Sequence, residues 1–167
     1  MTSRFHDRGR YAWEFAGEFS VVCPRCANKA TVLADGLSWR AKSARVTCAG
    51  CGYSANWTAT RYRAPTTWRV PNRGTALEPA RRSAAPTDPF FKLPLWLVAE
   101  VKGGVLWAYN GAHLEFLRNY VGATLRIRQP HVNGSLASRL PAFLLDRRNR
   151  AAATKAIAEL ERRALTG

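Results

Sequence analysis

Among 167 residues there are one methionine, three histidines, eleven acidic side chains and four cysteines. The shortage of acid has the widest consequence. Twenty-six Lys plus Arg leave a formal charge of +15, which excludes an acidic disordered chain and makes a polyanion the expected partner. Long apolar runs are missing too. Residues 93–99 form the longest, interrupted by Pro94 and stopped at Glu100, and the first twenty positions carry Arg4, Asp7, Arg8, Arg10, Glu14 and Glu18. Neither a signal peptide nor a membrane span is read, so the expected location is cytoplasmic. Recognisable catalytic patterns are absent. There is no phosphate-binding glycine loop and no nucleophile elbow. His6, His113 and His131 have no carboxylate or cysteine near them in a recognisable pattern, and Asp35, Glu78 and Asp88 are too scattered for a two-metal centre. Catalysis is not expected. A metal-dependent nuclease relying on His113 ranks third among the functional readings.

The cysteines that are present form two pairs, Cys23-Pro24-Arg25-Cys26 and Cys48-Ala49-Gly50-Cys51, separated by residues 27–47. A two-residue gap lets one tight turn aim both sulfurs at a point, and two such turns supply a tetrahedral four-thiolate shell. Zinc in a closed structural site is the expected occupant, with iron as a substitute in the same shell. Two disulfides would need an oxidising compartment. A redox pair would not usually come duplicated without a βαβ context. Gly52 follows the second pair, where a residue without Cβ can turn left-handed and direct backbone amides toward sulfur.

Through F-S-V-V-C-P-R-C and V-T-C-A-G-C-G-Y-S-A, residues 19–63 resemble a zinc ribbon of the transcription-factor-IIB type. Alternation supports a strand after the second pair: Tyr53, Ala55 and Trp57 fall on one face, Ser54, Asn56 and Thr58 on the other. The resemblance implies a small antiparallel sheet around one metal ion, serving as a docking module for nucleic acid or for protein machinery. L-W-A-Y-N at 106–110 and S-L-A-S-R-L-P at 135–141 extend a likeness to bacterial zinc-ribbon-containing proteins to which no activity is attached.

The expected organisation is α+β in three parts: residues 1–64 with the ribbon, a Pro/Arg linker at 65–89, and an α+β domain at 90–167. The linker holds Pro65, Pro71, Pro79, Pro86 and Pro89 with Arg69, Arg73, Arg81 and Arg82, and reads as a solvated tether or an arm lying on a partner. Residues 95–101 and 105–109 flank Gly103-Gly104, a hairpin signal. With Lys102 opposite Val105, Leu97, Ala99, Val101, Leu106 and Ala108 face the core, while Trp96, Trp107 and Tyr109 take the other face. Asn110 caps a helix expected to reach about Arg128 on a stripe of Leu114, Leu117, Val121 and Leu125, widened by Phe116, Tyr120, Ala123 and Ile127. A short helix near 135–140 and a last one from about Asp146 to Leu165 complete the set, about three helices against a hairpin.

Positive charge is spread over both halves. In the ribbon, Lys29, Arg40, Lys42, Arg45, Arg61 and Arg63 are interleaved with aromatic residues, of which Trp39, between the knuckles, is the best contact candidate. With Arg69 of the linker and Arg147, Arg148 and Arg150 at the start of the last helix, these are the expected phosphate contacts. The bland alternative for the Arg147–Arg150 group is a solvated cluster beside Asp146. The leading expectation is a nucleic-acid-binding accessory protein acting on DNA, RNA or a ribonucleoprotein. The alternative is a protein-docking adaptor using Trp96, Trp107 and Tyr109 as an exposed apolar patch.

Overall fold

A computed structural model of the chain describes residues 3–37, 40–59, 86–127 and 135–166. Their order is strand β1 (Arg4–His6), β2 (Glu18–Val22), β3 (Lys29–Ala34), β4 (Ser43–Thr47), β5 (Ser54–Thr58), β6 (Leu97–Val101), β7 (Gly104–Ala108), helix α1 (Gly111–Gly122), β8 (Leu125–Ile127), α2 (Ala142–Leu145) and α3 (Arg150–Leu165). The class is α+β, with the cysteines in an antiparallel sheet and a hairpin packed against helices.

The sheet runs β2-β3-β4-β5. Its period-two pattern explains which side is core: Phe19, Val21, Ala30, Val32, Ala44 and Val46 are buried, while Leu33, Arg45 and Thr47 alternate outward. Ala55 and Trp57 of β5 pack against the same core and Ser54, Asn56 and Thr58 are exposed, as the alternation predicts. Asp35 closes the β3–β4 connection by accepting the Lys42 and Ser43 amides at 2.8 and 3.0 Å. The Ser43 amide, first among these bonds, holds its carboxyl below the usual carboxylate range.

The hairpin pairs β6 with β7 in the register Val101↔Gly104 and Leu97↔Ala108. The turn is therefore Lys102-Gly103, one residue earlier than the expected Gly103-Gly104. Gly103 takes φ +99°, and Gly104 lies in the strand, where an added Cβ would come within 2.6 Å of the Phe143 ring. Two glycines stand here for two reasons: one turns and the other admits a neighbour. The face assignment survives because both registers keep the same parity, and Leu97, Leu106 and Ala108 are buried.

Asn110 caps α1 as expected, its Oδ1 accepting the His113 amide at 3.0 Å. The helix stops at Gly122 rather than continuing to about Arg128. Leu125 and Ile127, expected on its apolar stripe, instead belong to β8, which pairs in parallel with β1, and both are exposed. A strand partner more than a hundred residues away leaves no trace in local periodicity. The last helix begins at Arg150, after a 3-10 turn at Arg147–Asn149, and buries Ala153, Ile157 and Leu160.

The two ends of the chain are interwoven. Asn110 Nδ2 donates to the carbonyls of Phe15 and Glu18, the Ser20 amide to the Tyr109 carbonyl, and the Val22 amide to that of Pro94. Residues 86–89, which the sequence assigns to the linker, turn back on 93–95, with Asp88 fully buried and accepting the amides of Phe90, Phe91 and Leu93. Phe90 then packs into the core of the cysteine-bearing sheet.

Candidate metal centre

The two cysteine pairs sit on backbone turns that repeat each other position for position. The Ala27 amide donates to the Cys23 carbonyl at 3.0 Å, and the Gly52 amide donates to the Cys48 carbonyl at 3.0 Å. One residue further on, the Asn28 carbonyl accepts from the Cys23 amide and the Tyr53 carbonyl from the Cys48 amide. Both turn-closing residues are left-handed, Ala27 with φ 58° and Gly52 with φ 70°. The sequence marks the second of these by its glycine. The first is invisible, since alanine is not a residue that signals φ > 0.

These turns bring Cys23, Cys26, Cys48 and Cys51 together with all four sulfurs within 4.8 Å of one another. Cys23 and Cys51 are 3.7 Å apart, Cys26 and Cys48 3.6 Å. Metal–sulfur bonds of about 2.3 Å in a tetrahedron put neighbouring sulfurs about 3.8 Å apart, so the spacing matches coordination. It is far beyond the ~2.05 Å of a covalent bridge, and all four cysteines are free. The four expected ligands therefore converge on one point that could bind a metal ion.

Electrostatics agree with a cationic occupant. Burial pushes the Cys23 thiol up, but the Arg25 and Cys26 amides and neighbouring thiols pull harder and bring it down to about 7. At Cys51 the Tyr53 amide favours the thiolate, yet burial and three adjacent sulfurs outweigh it and push the thiol up to about 12. One anion is welcome and a second is resisted. Four thiolates in this volume need a central cation. Cys23 and Cys48 are buried, Cys26 and Cys51 partly so, which suits a closed structural site better than one open to substrate.

The expected phosphate contacts are not gathered into one place. Lys42 and Arg45 are exposed on the sheet half, with Arg45 Nη2 donating to Ser54 Oγ at 3.2 Å. Arg40 is also exposed. Lys29 points elsewhere: its Nζ donates to the Ala164 carbonyl at the end of α3, at 2.7 Å. Arg148 folds back on Asp146, Nη2 to Oδ2 at 2.9 Å, and its hydrogen bonds hold the Asp146 carboxyl below the usual carboxylate range. Arg147 is exposed, whereas Arg150 is half-buried with its Nε unpartnered among the described residues. Trp39, Arg61, Arg63 and Arg69 lie outside the described residues.

His113 is 2% exposed. Phe15, Trp107 and Tyr109 surround its ring, and Nδ1 accepts the Tyr109 amide at 3.3 Å. Burial pushes it down to about 3, so it is neutral, carries its proton on Nε2 and fills a core position. Trp96 and Trp107 are half-buried and engaged. Trp96 Nε1 donates to the Arg163 carbonyl at 3.2 Å beneath the Arg163 guanidinium, and Trp107 packs on Tyr109 and His113. No helix among the described residues is long and apolar enough to cross a membrane. Compared with protein-family models, curated proteins and solved structures, the chain matches none, and the zinc-ribbon-like element rests on the cysteine geometry itself.

Proposed function

We propose that the chain is a bacterial accessory protein built on a zinc ribbon of the transcription-factor-IIB type, which binds DNA, RNA or a ribonucleoprotein through phosphate contacts and without turnover. Zinc holds the ribbon, iron being able to replace it in the same thiolate shell. Cationic side chains provide the affinity.

The observation that carries this reading is how the few carboxylates are spent. Asp7 accepts from Ser135 and Gly9, Asp35 from Lys42 and Ser43 amides, and Asp88 from three backbone amides. Ion pairs between described residues engage Arg10, Arg118, Arg148 and Arg162. Ion pairing leaves the net charge of +15 unchanged, and with these carboxylates turned toward amides and hydroxyls, exposed Lys42, Arg45 and Arg147 have no ion-pair partner among the described residues. Such a surface attracts a polyanion at long range and releases counterions on contact.

Docking to a protein is less well supported, because the aromatic face it would use is taken up by Arg163, Tyr109 and His113. The test is metal analysis together with salt-titrated binding to matched single- and double-stranded DNA and RNA. One ion per chain and an affinity falling linearly in log salt, about 0.7 to 0.9 per phosphate contacted, are expected. No binding at low salt, or a flat salt response, overturns the nucleic-acid reading.

A further inference from the structure

The N-terminal segment carries a pattern that the cysteines and the ribbon do not explain. Along residues 4–8 the cationic and polar side chains of Arg4, His6 and Arg8 are exposed, while Phe5 and Asp7 alternate inward. Phe5 is clamped edge-on by Phe116 and Tyr120 of α1, at 5.4 and 5.2 Å. Asp7 is buried, bound by Ser135 Oγ at 2.6 Å, and its amide extends the ladder to the Ile127 carbonyl. The inward residues thus fix the register, and in β1 Arg4 and His6 stand about 6.6 Å apart, with Arg8 exposed two residues beyond the strand.

That row borders a groove of about 500 Å³ whose opposite wall is Arg118 and Asn119 of α1. Among the described residues no carboxylate pairs with Arg4 or Arg8. Beyond the row, the exposed ring of Tyr11 lies parallel on Trp13, with centroids 5.6 Å apart and planes 15° from parallel. From Arg4 to Arg8 the backbone can span up to about 13 Å, more than a single phosphate can engage. Two guanidinium forks lining one groove, followed in the chain by a stacked aromatic pair, are the chemistry of a strand carrying both phosphates and bases.

We propose that residues 3–8 and the groove they form with α1 are a track for the backbone of one nucleic-acid strand, with the outer face of Tyr11, three residues further along the chain, taking a base. The track rests on the nucleic-acid reading above and assigns it a surface other than the expected ribbon contacts. Acidic protein and duplex are the competing occupants that the test must reject.

The test is anisotropy of the full zinc-loaded chain with a labelled single-stranded oligonucleotide over a range of salt. The double variant Arg4→Gln/Arg8→Gln is compared with Lys102→Gln/Lys155→Gln, which removes the same charge from exposed positions on the hairpin turn and the last helix. Both doubles should melt like the parent. The first should bind at least tenfold more weakly at low salt, with the log–log slope reduced by about 1.4, two contacts at about 0.7 each. The second should stay within twofold. Tyr11→Ala should weaken single-strand binding about fivefold or more with the slope unchanged. Equal losses in the two doubles, or none in the first, overturn the track and leave the nucleic-acid reading standing. An intact Tyr11→Ala affinity, or tighter binding to duplex or polyglutamate than to the single strand, overturns the assignment to one strand. If the parent binds no nucleic acid at low salt, the reading and the track fall together.

Discussion

The cysteine-bearing sheet and the helical half solve the same burial problem with different materials. Around the sheet the buried residues are mostly small: Ala16, Ala30, Ala41, Ala44, Val21, Val32 and Val46, with Phe19, Phe90 and Leu95 as the bulk. The helical half buries Leu97, Leu106, Leu114, Leu117, Leu140, Leu144 and Leu160 with Phe15, Phe116 and Tyr120. Hydrophobic stabilisation scales with apolar area removed from water. The thinner core is the one that carries four convergent sulfurs, so a metal ion bound there would cross-link the region where side-chain volume is short. The thicker core makes do with packing. Between them, Lys29 of β3 donates its Nζ to the Ala164 carbonyl of α3.

The sharpest break in this contrast is Cys48→Ser. It should abolish stoichiometric metal binding and unfold the sheet, while part of the helical circular dichroism persists. Metal analysis and hydrogen exchange check it, and full retention of both metal and amide protection in β3 and β4 would remove the basis of the contrast. Leu114→Ala, at a position 1% exposed, should instead cost about 2 to 5 kcal/mol in denaturant unfolding and leave the metal in place.

A third test concerns acid. His113 is held neutral by burial, down to about 3 from an ordinary value of 6.5. The unfolded chain therefore binds a proton that the folded chain refuses as pH falls from about 6.5 toward 3, and stability declines across that window by up to about 1.4 kcal/mol per unit. Urea midpoints from pH 7 to pH 4 should show this decline in the helical half, and His113→Gln, which keeps an acceptor for the Tyr109 amide, should flatten it.

The smallest effect compares the two knuckles. Ala27 and Gly52 share one left-handed conformation, which costs a residue with a Cβ roughly 1 kcal/mol. Ala27→Gly should raise stability and Gly52→Ala lower it, each by about that amount, as read from thermal melts of metal-loaded protein. The same sign for both would mean that the turns are not equivalent.

Much of the architecture was legible beforehand, and particular residues show why. The paired CxxC spacing, the alternation over 53–58, the Asn110 cap and the inward stripe of the last helix are local patterns with local causes. Leu125 and Ile127 continue the helical period of α1, and only β1 pairing with them makes them a strand. Gly103-Gly104 has the pattern of a hairpin turn, but Gly104 serves the Phe143 ring, a long-range contact, and lies in the strand. The row of Arg4, His6 and Arg8 carries a signal, the alternation in R-F-H-D-R, but two arginines flanking a histidine in a basic chain do not declare a surface until Phe5 and Asp7 have partners.

Taken alone, then, the sequence determined the metal-ligand chemistry, the class of fold and the sign of the molecule's field, since these depend on residue type and on spacing within one turn, strand or helix. Tertiary structure decided whether the sulfurs converge, which histidine is sealed from water, which arginines are spent on internal partners and which face outward. Those outcomes depend on segments far apart in the chain meeting in space, and a one-dimensional pattern does not encode the meeting.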